Sequence, residues 1–341
     1  MIEIDGSYGE GGGSILRYSI ALSIVAGEPV RVFNIRANRK PPGLKAQHLT
    51  AVKMLSRISN ADCRGLHIGS KEIVFAPGKV TGGEFSFDVG TAGSLSLLIQ
   101  AVTPVSAILR SPLILRLRGG TDVRMAPLID YMRFVFSENL KLLGVRCEIE
   151  LHKRGHYPRG GGLITLKLLP SKIHEMDHVK FRGWAKIVHG VAHAVKLPRH
   201  VVERIARSAE EILQKEGIAV EVERLWSQNN HLGPGAGIVL WAKGETVVGA
   251  DSLGERGKPS EVVGREAANK LLAELRSGMA FDRHMGDMIL PYLAIAGGGR
   301  VGISELSMHA KSNMWLCERI LGAGFRVEGG LGKPSIVEVM K

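Results

Sequence analysis

One order of elements, helix–strand–helix–strand–strand, comes round three times along this chain at a spacing of about 80 residues. A recurrence of that kind commits the fold to repeated supersecondary units, each too small to bury its own apolar face alone. In the first copy an alternating strand at 1–4 leads through a glycine-rich loop to an apolar helix at 15–25. A strand at 30–35, a helix at 45–58 and strands at 63–68 and 72–75 follow. The second copy has a strand at 84–89, a helix at 95–109, a strand at 113–118, a helix at 126–143 and two strands within 145–168. The third shows a helix at 287–296, a strand at 301–304, a helix at 313–321 and strands at 325–328 and 335–340. Between the second and third copies the order breaks into a strand at 184–196, an amphipathic helix at 200–215, strands at 219–226 and 237–242, and a helix at 261–275. A block with its own apolar pattern reads as an inserted domain. The expected fold class is therefore α+β. Three βαβαββ units form a large discontinuous domain, 1–182 and 279–341, and a smaller βαββα domain occupies 183–278.

The loop between the first strand and first helix runs Asp5-Gly6-Ser7-Tyr8-Gly9-Glu10-Gly11-Gly12-Gly13-Ser14, with Arg17 one turn on. A glycine-rich turn feeding a helix N-terminus is a ready anion site, and Ser14 reads as the N-cap. The loop fits neither familiar nucleotide pattern: it lacks the lysine of a Walker loop and the third spaced glycine of the dinucleotide fingerprint. It is either a tight structural turn or a phosphate cradle of another kind, and Glu10 with Arg17 favours the second. Gly90-Thr91-Ala92-Gly93-Ser94 echoes it in the second copy.

The net charge of +12 and pI near 9.7 favour a polyanionic partner. Aromatic residues make up only 5% of the chain, which argues against a broad platform for stacking bases and for contacts to phosphate. Three scattered cysteines, Cys63, Cys147 and Cys317, make no CxxC and leave an odd one, as expected of a reduced, cytoplasmic protein. With no run of 18 apolar residues and no signal peptide, no membrane role is expected.

Several side chains stand out. His309 follows a strand and precedes a helix that Ser312 or Asn313 would cap, where the helix dipole disfavours imidazolium and attracts anions. A neutral imidazole beside a phosphate is a competent nucleophile towards phosphorus. Gln100 lies in an otherwise apolar helix and must find a partner or face a cavity. Asp287, in His284-Met285-Gly286-Asp287-Met288, reads first as an N-cap. Arg36, Arg39, Lys40 and Lys45 put four cations in ten residues around Pro41-Pro42-Gly43, a phosphate clamp or a solvated surface. The turn Lys153-Arg154-Gly155-His156-Tyr157-Pro158-Arg159-Gly160-Gly161-Gly162 reads as a hairpin tip. His189 and His193 share a strand at a spacing too long for one metal, and without HExxH or a Cys/His cluster no structural zinc is expected.

Taken together these stretches resemble the RNA 3'-terminal phosphate cyclase family. The resemblance rests on Asp5 to Gly13 with Arg17, and on Ile35-Arg36-Ala37 with Pro42-Gly43-Leu44 and Gln47-His48-Leu49-Thr50. Gly119-Gly120-Thr121-Asp122, His156-Tyr157-Pro158 with Gly160-Gly161-Gly162, Asp287-Met288-Ile289-Leu290-Pro291 and His309 complete it. It covers nearly the whole chain in order. It implies the architecture read above, with thioredoxin-like topology in the insert, and a ligase acting on ATP and an RNA 3'-phosphate end. The implied reaction passes AMP from a covalent histidine adduct to the RNA phosphate, and the neighbouring 2'-hydroxyl then closes a 2',3'-cyclic phosphate. By the same resemblance His309 is the nucleophile and Glu10 ligates Mg2+ or Mn2+. Gln100, His284, Met285, Gly286, Asp287 and Met288 hold the nucleotide, and Arg17, Arg36, Arg39 and Gln47 hold phosphates. Bacterial relatives commonly have tyrosine and glutamine where His284 and Met288 stand, so adenosine contacts differ there. Two other readings stay open: a catalytically inactive cyclase-like protein of ribosome biogenesis, and an enolpyruvyl-transferase-like enzyme. The natural RNA and the oligomeric state, a homodimer among the alternatives, are open too.

Overall fold

A computed structural model describes residues 1–183 and 187–340. The first unit comprises β1 (Ile2–Asp5), α1 (Gly13–Ala26), β2 (Val30–Phe33), α2 (Ala46–Ser59), β3 (Asp62–Arg64) and β4 (Ile73–Ala76). In the second, β5 (Gly83–Asp88) and α3 (Leu95–Val102) precede a 3-10 turn (Thr103–Ile108) and β6 (Leu113–Gly119). Then α4 (Ile129–Tyr131) runs through a π-helical stretch (Met132–Phe136) into α5 (Ser137–Lys141), followed by β7 (Cys147–Lys153) and β8 (Gly162–Leu168). The third unit opens with β9 (Asp177–His178).

The insert comes next: β10 (Ile187–Val195), α6 (Arg199–Lys215), β11 (Ala219–Ser227), β12 (Gly235–Lys243), β13 (Val247–Leu253) and α7 (Ser260–Ser277). The third unit resumes with α8 (Arg283–Ala296), β14 (Gly299–Ile303), α9 (Met308–Leu321), β15 (Gly324–Glu328) and β16 (Ser335–Met340).

The three repeat sheets share one topology. Their orders are β1-β2-β4-β3, β5-β6-β8-β7 and β9-β14-β16-β15. In each, the first two strands pair parallel and the remaining pairs are antiparallel. Two-residue β9 is the strand missing from the third copy in the sequence; it is too short to show alternation. The insert therefore lies inside the third unit, between β9 and α8, rather than ahead of it. The expected strand at 184–196 begins on residues 184–186, which lie outside the described residues.

Helix α1 explains its own composition. All of Ser14 to Ile24 is buried, because α1 packs against α2 and α3 and, from the far end of the chain, α9. A helix enclosed on every side has no polar face to show. Helix α3 stops earlier than its apolar run because Pro104 has no N–H to continue the α-helical ladder, so the chain tightens into the 3-10 turn.

The insert has one strand more than its pattern announced. β13 reads VVGADSL, which does not alternate, yet it pairs antiparallel with β12 along its whole length. The insert sheet, ordered β11-β10-β12-β13 with β10 and β11 parallel, has the thioredoxin-like arrangement. Its α6 and α7 cover one face with a core of their own, including Val202, Ile205, Leu213, Ile238 and Leu271. The opposite face lies on the second repeat. Trp241 stacks on Phe134 at 4.6 Å, and buried Asn139 both accepts from Val247 N at 2.9 Å and donates to Val247 O at 2.7 Å.

Candidate active site

The opening loop is shaped by Asp5, whose Oδ1 accepts from Ser7 N at 2.9 Å, Ser7 Oγ at 2.7 Å and Asn34 Nδ2 at 3.1 Å. Tyr8, exposed at the loop tip, stacks on Trp315 of α9 at 4.1 Å. The loop is thereby held against the helix that carries His309. The N-cap of α1 is Gly12 rather than Ser14. Gly13 begins the helix with its Cα against His48: a Cβ there would stand 2.1 Å from His48 Nε2. A side chain at this position would push the first turn out of place.

Helix α9 starts earlier than its pattern suggested. Its N-cap is Ser307, whose Oγ accepts from Ala310 N at 3.0 Å, so His309 sits in the first turn and neither Ser312 nor Asn313 caps the helix. Asp287 is not an N-cap either; Asp282 caps α8 by accepting from Met285 N at 2.9 Å. Asp287 instead ties α8 to α9. Its carboxylate accepts from Ser307 Oγ, and its carbonyl accepts from Asn313 Nδ2 at 2.6 Å. Burial lifts the Asp287 carboxyl to about 6, against the Ser307 hydrogen bond and the charges of His284 and Arg283.

These elements enclose a cleft of about 630 Å³ between the repeats and the insert. Glu10, Arg17, Arg36, Arg39, Gln47, Gln100, His284, Asp287, Met288 and His309 all line it. Met285 and Gly286 do not. Met285 is buried in the repeat core, and a Cβ on Gly286 would meet Ile303 at 2.9 Å. Gln100 faces the cavity, as a polar residue in an apolar helix must if it has no partner. Gln47 accepts from Ser94 N at 2.7 Å and joins the first repeat to the loop of the second. Arg36 braces its own loop, donating from Nη1 to Pro41 O at 3.0 Å and Gly43 O at 2.7 Å.

At the centre, His309 Nε2 stands 3.1 Å from Glu10 Oε2, and Arg39 Nη2 lies 3.5 Å from the same oxygen. Arg17 is buried, its Nε has no hydrogen-bond partner, and no carboxylate pairs with it among the described residues. Burial pushes its guanidinium down to about 10, still fully charged at neutral pH. A desolvated cation without a counterion is a waiting anion site. Six cations line the cleft (Arg17, Arg36, Arg39, Arg124, Lys270, Arg283) against three carboxylates (Glu10, Asp251, Asp287), so its field favours a polyphosphate. Arg124, Lys270 and Arg283 were not singled out in the sequence; Lys270 comes from the insert, and nothing local marks it.

Burial holds the His309 imidazole below its ordinary value, helped by Arg17, Arg39 and Arg283 and opposed by Glu10. The ring is neutral near pH 7 and keeps a free lone pair. Glu10 is the main charge favouring imidazolium, so Glu10→Gln is expected to lower the His309 pKa further in an NMR titration. A higher value in the variant would overturn this account of the site.

A second cluster lies beneath the junction of insert and repeats. The turn after β6, the β7–β8 hairpin tip and β10 bring Asp122, His156 and His193 together, all buried. The stretch 153–162 is the hairpin tip expected of it, between β7 and β8, and it also carries His156 into a group of metal-ligand type that no sequence spacing announced. Residues four apart on a strand lie roughly 13 Å apart, so His189 and His193 do not meet; the partner of His193 is His156. His189 instead faces Glu221 at the insert surface. Three side chains from three distant segments leave no spacing signature.

Among the described residues no helix is long and apolar enough to cross a membrane. The profile of the family described as RNA 3'-terminal phosphate cyclase matches residues 8–327. A curated protein of that name from Korarchaeum cryptofilum is 57% identical over 340 residues, covering 99% of this chain and 97% of its own. A namesake from Methanopyrus kandleri is 51% identical, covering 99% and 98% of the two chains. One from Pyrococcus abyssi is 46% identical, covering 100% and 99%. With a match of that extent, and an α+β fold of three like units around one cleft, the chain belongs to the RNA 3'-terminal phosphate cyclase family.

Proposed function

We propose that this chain is a ligase that uses ATP to convert an RNA 3'-terminal phosphate into a 2',3'-cyclic phosphodiester, with His309 as nucleophile. In the first step a nitrogen lone pair of His309 attacks the α-phosphorus of ATP. The bond to pyrophosphate breaks, and a histidine–AMP phosphoramidate forms. In the second, a terminal phosphate oxygen of the RNA attacks the same phosphorus, the N–P bond breaks, and AMP passes to the RNA as an anhydride. In the third, the adjacent 2'-hydroxyl loses its proton and attacks the RNA phosphorus, expelling AMP. Closure is intramolecular, so proximity supplies much of its rate.

The observation that carries this reading is the placement of an imidazole 3.1 Å from a carboxylate, beside a buried guanidinium with no carboxylate partner among the described residues, on a cationic cleft. Nε2 is the ring nitrogen that faces Glu10. Attack from that atom requires the tautomer with its proton on Nδ1. On this reading Arg17 and Arg39 take phosphate oxygens and Gln100, His284 and Met288 hold the nucleoside, a reading supported by their sharing one cleft. Asp287 positions the nucleophile by fixing the start of α9 against α8.

A magnesium-class ion fits these residues. Glu10 offers a partly exposed hard carboxylate on an open cleft, and such ions take few protein ligands beside phosphate and water. Bound there, it would neutralise phosphate charge. Glu10→Ala is expected to blunt the dependence of AMP transfer on Mg2+ or Mn2+, read as the ion concentration at half-maximal labelling. An unchanged dependence would remove Glu10 from that role.

The same proposal treats 183–278 as a separate domain interrupting 1–182 and 279–341, which the distinct insert core supports, and places the protein in the cytoplasm. The test is incubation with α-labelled ATP and a divalent ion, then with an RNA carrying a 3'-phosphate. Acid-labile, alkali-stable label on the protein, followed by a cyclic RNA end, is the expected result. A protein that takes no label favours the inactive cyclase-like reading, and turnover of an enolpyruvyl donor favours the transferase reading.

A further inference from the structure

Apart from the cleft, there is one buried place among the described residues where ligand-type atoms converge. His156 Nε2 and His193 Nε2 stand 3.1 Å apart, and Asp122 Oδ2 lies 3.9 Å from each. The three residues are 4, 0 and 1% exposed for His156, His193 and Asp122. Around a tetrahedral zinc, with bonds of about 2.05 Å, neighbouring ligand atoms are about 3.3 Å apart. The imidazole pair already has that separation, and the carboxylate needs to close by only about half an ångström.

The surroundings are built for the pair. Gly235, the first residue of β12, would place a Cβ 2.0 Å from His156 Cγ, and Gly237 would place one 3.0 Å from His193 Cε1. Only residues without side chains admit both rings. Thr121 Oγ1 donates to Asp122 Oδ2 at 2.7 Å, and Arg154 Nη1 donates to the same oxygen at 3.2 Å. Those are the outer contacts that orient a ligating carboxylate. The two rings share one Nε2–H···Nε2 bond, with Asp122 Oδ2 facing both.

We infer that Asp122, His156 and His193 form a structural divalent-metal site of the zinc class, fastening the insert to the second repeat. Two imidazoles and a carboxylate suit zinc and its neighbours better than magnesium. The ligands come from both sides of the junction, two from the second repeat and His193 from β10. Asp122 is two residues from Arg124 of the cleft wall. An ion here would fix the wall without touching the reacting groups.

The test uses the full-length chain without an affinity tag, stripped by chelator and titrated with Co2+, whose visible d–d bands report a tetrahedral nitrogen–oxygen site. Wild-type protein is expected to bind one equivalent, to release it to Zn2+, and to unfold at a higher temperature with Zn2+ than without. Glu10→Ala, which removes the cleft carboxylate proposed to hold the magnesium-class ion, is expected to retain the bands. His193→Gln and the isosteric Asp122→Asn should each weaken binding about 100-fold or more and abolish the thermal shift. Circular dichroism checks that they fold, and Asp122→Asn decides if His193→Gln does not. Absence of Co2+ binding, or bands that survive Asp122→Asn and vanish in Glu10→Ala, would overturn the assignment.

Discussion

His309→Ala is expected to abolish covalent labelling by α-labelled ATP and to lower cyclisation by on the order of 10⁴-fold or more. The substitution leaves the fold alone. His309 is partly exposed in the first turn of α9, and that helix is held by Ser307, Asn313 and the Tyr8–Trp315 stack rather than by the imidazole. Loss of activity with an unchanged thermal midpoint is the signature of a missing nucleophile. A chemically pre-adenylylated RNA separates the steps. Its closure needs the 2'-hydroxyl and the cleft but not the histidine, so His309→Ala is expected to complete that final step at a rate near the wild type. A variant that still takes label at another residue would displace His309 from the role proposed for it.

The repeat was legible because each unit must bury the same faces, so helical and alternating periods return in the same order. The short first strand of the third unit was not, since β9 pairs over only two residues and the insert separates it from its own α8. Helix ends were misplaced where the capping side chain lies a turn upstream of the apolar run: Ser307 for α9 and Asp282 for α8. Asp282 was invisible as a cap because its other partners are distant. It accepts from Tyr131 Oη at 2.6 Å in the second repeat and from Gly249 N at 2.9 Å in the insert.

The cleft divides along the same line. Glu10 and Arg17 announce themselves beside a glycine loop, and His309 beside a helix start. Lys270 reaches the same space only because the insert folds back over the repeats, and Arg283 because it opens α8 of the third unit. Arg36 shows the opposite case: a cation that sequence counts as a phosphate ligand has two loop carbonyls as its nearest acceptors. Local pattern finds side chains whose chemistry is declared by their neighbours in sequence. It does not find those whose partners are assembled by topology.

Arg154 is the residue where that distinction has the largest energetic consequence, and Arg154→Met is expected to cost about 3–5 kcal/mol of stability. Its guanidinium is buried at the hairpin tip and forks between Asp122 and Asp130, both wholly enclosed. Burial alone would lower its pKa, but Asp130 and Asp122 more than offset this and hold it above the ordinary value. Methionine fills similar volume, so in chelator-stripped protein the loss is one of charge: two carboxylates remain without their shared counterion, and among the described residues only Asp130 has a second arginine, Arg133 at 2.8 Å. For a chain of this length such a loss corresponds to a fall of roughly 4–7 °C in the unfolding midpoint by calorimetry. Pairs exposed on the surface would fade with salt, whereas this enclosed one should keep its contribution in high salt. Adding Asp122→Asn to Arg154→Met should recover part of the loss, because the uncompensated charge goes with it. A midpoint within about 1 °C of the wild type in Arg154→Met would show that water reaches the two carboxylates, and the enclosed junction described for Asp122 and Asp130 would then be wrong.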